Sequence, residues 1–226
     1  MPVAEKGAHT MDTQAVETKR SGDNGGRVDS QQIDTLRANT YSFLALLLAA
    51  PPGQGVLDQL KQIDATEAAA SDGSGEMGAA WHALKLAGDW VTVEALDDEY
   101  HELFIGVGRG ELVPYGSWYM TGFLMDRPLA ALRQDLKSFG IERQEDVHEP
   151  EDHVAALCET MSLIIGSGDE ISWDRQRKFF GDHIAPWMDR LFADMQQAKA
   201  ARFYRAVGQL GEQFIGLEKQ YLAMLV

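Results

Sequence analysis

Cysteine is almost missing from this chain, and basic residues are scarce. Its one cysteine, Cys158, can form neither an internal disulfide nor a cysteine-rich structural zinc site, which points to a reducing compartment. Cys158 falls between Leu157 and Met161 on a helix-like apolar pattern and has no neighbours that would activate a thiolate, so it reads as a small core residue. Against 35 Asp and Glu stand only 20 Lys and Arg, a net charge of −15. Binding nucleic acid at large needs clustered cations to neutralise phosphates, so that class is excluded and a basic partner is favoured. Long apolar runs are missing too. The longest, Phe43 to Ala50, stops at Pro51-Pro52, far short of the roughly 20 residues that cross a bilayer. Residues 1–30 are polar and lack the apolar core of a secretory signal, so they read as a disordered tail of a cytoplasmic protein.

Catalytic patterns fail on spacing. Gly116-Ser117 lacks the flanking glycines of a nucleophile elbow, and the glycines at 106, 108 and 110 follow no strand and complete neither a phosphate loop nor a dinucleotide fingerprint. His101, His148 and His153 lie among acids, but the one Glu-x-x-His element, Glu145 to His148, sits in a charged connector, and no His-Glu-x-x-His helix exists. No catalytic residue, metal or cofactor is therefore expected. A metal-dependent helical enzyme and a generic helical scaffold stand as the alternatives. The first predicts stoichiometric iron or zinc in purified protein; the second predicts loss of assembly when Phe214 or Leu217 is disrupted.

What the sequence does contain is helical periodicity in almost every ordered segment, with no alternating strand pattern, so the expected fold is all-α. Ile33, Leu36, Thr40, Leu44, Leu47 and Leu48 form a first stripe closed by the proline pair. Residues 71–78 read as a loop before a helix carrying Trp81, Leu84, Leu86 and Trp90, and Leu96 to Ile105 follows. Pro114 restarts the pattern toward Phe123 and Leu124, and a helix over Leu129 to Phe139 ends at a Gly140 cap. Pro150 is expected to open a helix with Glu151 and Asp152 in its first turn, where the helix dipole favours carboxylates. A helix over 172–193 should be kinked or interrupted near Gly181 and Pro186. The last helix carries Phe203, Val207, Leu210, Phe214, Leu217, Tyr221 and Met224 as a core seam or a dimer interface. The organisation expected is a tail over 1–30, an N-terminal helical lobe over 31–141, a hinge at 142–149 and a C-terminal helical lobe over 150–226.

Two short clusters carry the functional reading, Pro114-Tyr115-Gly116-Ser117-Trp118-Tyr119 and Glu149-Pro150-Glu151-Asp152-His153. The first offers stiff aromatic faces with polar tips; the second offers carboxylates and an imidazole able to pair with a guanidinium or to accept backbone N–H groups. Acids crowd beside both. Residues 94–111 hold six acids and one base, and residues 142–152 repeat that ratio. These are residue types for holding a peptide.

Together with Glu99-Tyr100 leading into Leu103-Phe104, and Leu124-Met125 before Pro128, these clusters resemble the TorD/DmsD/NarJ group of redox-enzyme maturation chaperones over roughly residues 36–195. The resemblance implies a non-enzymatic, cytoplasmic chaperone that binds the twin-arginine signal peptide and other parts of an apo molybdoenzyme catalytic subunit until its cofactor is inserted. It implies peptide binding at Tyr115, Ser117, Tyr119, Glu151, Asp152 and His153, and a monomer or a dimer that exchanges C-terminal lobes. Gly122-Phe123-Leu124-Met125 and Ile141-Glu142-Arg143 are similar to members serving formate dehydrogenase. If Asp152 and His153 act only on the peptide, replacing both by alanine should weaken binding while leaving the melting temperature nearly unchanged.

Overall fold

A computed structural model describes residues 23–63, 75–142 and 148–224. Among them the architecture is all-α, ten α-helices in one bundle. They are α1 (Asp23–Ala49), α2 (Gln54–Gln62), α3 (Gly75–Trp90), α4 (Val93–Tyr100), α5 (Gly116–Thr121), α6 (Arg127–Ser138), α7 (Val154–Gly166), α8 (Trp173–His183), α9 (Met188–Gln197) and α10 (Phe203–Met224).

Local sequence explains most boundaries. α1 ends at the proline pair, as expected. It already begins at Asp23, so residues 23–30 of the anticipated tail are helical, and residues 1–22 lie outside the described residues. Likewise the loop expected over 71–78 has become the first turn of α3 from Gly75 on, with 71–74 outside the described residues. α4 passes into a π-helical turn, His101–Ile105, before the glycine loop. Asp126 caps α6 through the Arg127 N–H, and Gly140 follows its end with φ +72°. The helix expected over 172–193 breaks at Ile184–Trp187, around Pro186 and not at Gly181, giving α8 and α9.

The core lies where α1 packs on α7 and where α10 packs on α9 and α3. Stretches on both sides of the connector, of which 143–147 lie outside the described residues, thus share one core. Leu44, Leu47, Leu157, Met161, Ile164, Phe192, Leu210 and Trp187 are all inaccessible to solvent or nearly so. α9 and α10 approach so closely that a Cβ at Gly211 would sit 2.4 Å from the Phe192 ring. Cys158 is buried in this core, where burial pushes its thiol far above the ordinary range, consistent with a packing role.

A buried ion pair ties the ends of the chain together. Arg37 on α1 donates to Glu218 on α10 at 2.6 and 2.9 Å, Tyr41 donates to the same carboxylate, and the guanidinium lies against the rings of Trp173 and Tyr221. The α10 seam is core in its first half. Phe203, Val207, Leu210 and Phe214 are buried, whereas Leu217 and Met224 are exposed along a cavity of about 540 Å³ between α1 and α10.

Candidate functional site

The two motif clusters meet through the backbone. Tyr115 and His153 form an isolated antiparallel bridge; the Gly116 N–H donates to the Asp152 carbonyl and the Val154 N–H donates to the Pro114 carbonyl, both at 2.9 Å. The residues before α5 are extended, not helical, and the anticipated continuous segment through Phe123 is broken by Gly122 at φ +83°. Gly116 also lets the start of α5 lie close against Trp187: a Cβ there would stand 3.1 Å from the indole nitrogen. The second motif departs from expectation as well. α7 starts at Val154, so Pro150 to Asp152 form a turn outside the helix and His153 is its cap, its Nδ1 accepting the Ala155 N–H at 3.3 Å.

The bridge separates the motif residues by role. Ser117 is fully buried, and its N–H donates to Asp152 Oδ2 at 2.8 Å. Its hydroxyl oxygen accepts the Met125 N–H at 3.1 Å, which supports the unusual φ of +58° at Met125. Asp152 is 3% exposed, and its Oδ1 is buried without a hydrogen-bond partner. These two fasten the motifs together, so the double alanine replacement is expected to lower the melting temperature by stranding the Ser117 N–H in the interior. Glu151 accepts from Arg133 on α6. Tyr119 faces another way, stacked near Trp187 and donating to Asp194.

Tyr115 and His153 remain together at an opening. Their rings meet edge to face with centroids 5.1 Å apart, and the Tyr115 hydroxyl donates to Glu149. Burial raises the Tyr115 phenol well above its usual value, and the Glu149 carboxylate adds to that. His153 moves the other way. Burial lowers its imidazole below 6.5 despite the pull of Glu149 and Asp152, so the ring is neutral at physiological pH. Because Nδ1 accepts, the neutral ring carries its proton on Nε2. Beside it opens a cavity of about 480 Å³ between α1 and α7, lined by Ser42, Ala45, Leu46, Ala49, Tyr100, Glu149, His153, Ala155, Ala156 and Glu159. Burial raises the Tyr100 phenol to about 12, with Glu149 contributing.

Sequence reasoning named neither Glu149 as a site residue nor Glu159. The signal for Glu159 is the spacing Ala155, Ala156, Glu159, which places one carboxylate beside small residues on a single face of α7.

The sequence profile of the family described as nitrate reductase delta subunit matches residues 71–193. The chain belongs to this family, the TorD/DmsD/NarJ group. Among curated relatives, the chaperone protein TorD of Vibrio parahaemolyticus is 25% identical over 55% of this chain and 62% of its own length. TorD of Vibrio atlanticus is 25% identical over 86% of this chain and 98% of that protein. A redox enzyme maturation protein of Archaeoglobus fulgidus, known by crystal structure, aligns with a TM-score of 0.49 at 16% identity, covering 80% of this chain and 94% of that one. The TorD relatives carry the name of a chaperone, not of an enzyme. No helix among its described residues is long and apolar enough to cross a membrane.

Proposed function

We propose that this TorD-family chain is a cytoplasmic maturation chaperone that holds the twin-arginine leader of an apo molybdoenzyme catalytic subunit, formate dehydrogenase being the client favoured, until the cofactor is in place. The observation that carries this reading is the bridge between Tyr115 and His153, which joins the two motifs beside an open cavity that His153 and Glu149 line together with free carboxylate and apolar wall. A leader with a cationic start and an apolar stretch matches both parts. Tyr115, His153 and Glu149 form the contact surface; Ser117 and Asp152 hold it in shape; Glu151 and Tyr119 take part only if the peptide extends toward α6 or α9. The acids raise the association rate most at low salt.

Co-purification from native cells followed by mass spectrometry identifies the client, and calorimetric titration with a synthetic leader tests the binding. The expected result is a one-to-one complex with a molybdoenzyme subunit, retained by its leader. Recovery of no such subunit, together with no heat on titration, would contradict the reading.

A further inference from the structure

Three features of the cavity between α1 and α7 point to one chemical group. First, Glu159 is exposed and makes no hydrogen bond or ion pair among the described residues, and Glu149 lines the same space with only the Tyr115 hydroxyl on it. Second, His153 is more than nine-tenths buried, yet its Nε2 has no partner among the described residues, and the ring lines the cavity. That nitrogen is a donor available to an acceptor that enters the cavity. Third, the floor and far wall are small and apolar, Ala45, Leu46, Ala49, Ala155 and Ala156, with the Tyr100 ring beside them. Carboxylates call for a cation, the Nε2–H calls for a carbonyl, and the apolar wall calls for a methylene stem. Free metal ions offer neither carbonyl nor stem. An arginine residue within a peptide offers all three.

We propose that this cavity seats one arginine side chain of the bound peptide, its guanidinium against Glu159 and Glu149 and its backbone carbonyl accepting from His153 Nε2–H. The assignment rests on the leader-binding reading above and makes Glu159 a residue that sets specificity. Arginine is preferred to lysine because a planar fork can reach two carboxylates at once and lie against the Tyr100 ring, while an ammonium acts as a point charge. On the opposite side of α1, where Ile33, Leu36 and Leu217 line the second cavity, the carboxylate in the lining, Glu218, is already paired with Arg37.

The test is a double-mutant cycle by calorimetry. One side is the full chain, wild type or Glu159→Gln. The other is a synthetic leader with an arginine pair ahead of a leucine- and alanine-rich stretch, in which each arginine is replaced in turn by glutamine or lysine. With wild type, replacing the seated arginine by glutamine should weaken binding about tenfold, and by lysine about threefold, in line with a charge-assisted pair. With Glu159→Gln the arginine and glutamine leaders should bind alike, so the two losses do not add. A variant that lowers affinity for all leaders by the same factor overturns the arginine seat while leaving leader binding intact. Equal affinity of wild type for arginine and lysine leaders overturns the preference for a guanidinium. Failure of wild type to bind any leader overturns the parent reading and this assignment with it.

Discussion

The two acidic stretches of the chain look alike in composition and behave differently. In the first, residues 94–111, Glu99 is 6% exposed and accepts three backbone N–H groups, from Arg202, Phe203 and Tyr204, at 2.7 to 3.1 Å. Glu111 accepts two more, from Lys199 and Ala200, and those bonds lower its pKa. Glu99 thereby fixes the start of α10, and Glu111 holds the connection between α9 and α10. Near the second motif, Asp152 is engaged in the same manner by Ser117, but Glu149 and the neighbouring Glu159 stay open to the cavity. A count of acids is therefore a poor guide to where a cation is attracted. What decides is whether backbone N–H groups have already claimed the carboxylate.

The contrast breaks most visibly at Glu99. Glu99→Ala leaves three N–H groups without an acceptor, those of Phe203 and Tyr204 in the interior, a cost of about 3–5 kcal/mol, and should lower the melting temperature by about 10 °C in a circular dichroism melt. A drop of only a degree or two would show that the carboxylate does not hold the start of α10. Asp152→Ala strands one such group and should cost about 1–3 kcal/mol; Asp152→Asn, which keeps an acceptor, should recover most of that loss, and an equal loss in both variants would mean that charge and not the hydrogen bond matters.

His153 sharpens the comparison through pH. Its folded-state pKa is depressed from 6.5 by burial, so the unfolded chain takes up a proton more readily. Stability from this source is complete above that value and declines as the pH falls from it toward the lower, folded-state one. His153→Asn keeps a capping oxygen and removes the titration, so its melting temperature should fall less than that of wild type on acidification from pH 7.5 to 5. Parallel curves would place the acid sensitivity elsewhere. The smallest effect belongs to Glu159→Gln. An exposed carboxylate without partners should change stability by less than about 0.5 kcal/mol, and a larger loss in a melt would show that it is a structural residue after all.

Helical periodicity, the stop at Pro51-Pro52 and the Gly140 turn were legible because each is a local property of a few residues. Trp90 shows the limit of such reasoning: it falls in the anticipated helix, yet it ends α3 almost fully exposed. The pairing of Tyr115 with His153 was not legible at all, since nothing in either segment specifies a partner 38 residues away. For the same reason Ser117 and Asp152, polar and set in short motifs, read as ligand contacts although the fold turns them on each other. Period reveals a buried face, but only tertiary contact reveals which polar groups are already satisfied.

Photo-crosslinking tests the account most directly. A leader carrying a photoreactive residue next to its arginine pair, irradiated with the full chain and mapped by mass spectrometry, should attach to α1 within residues 42–49 or to α7 within residues 155–159. Attachment instead to residues 33–40 and 214–224, on the other side of α1, would contradict it.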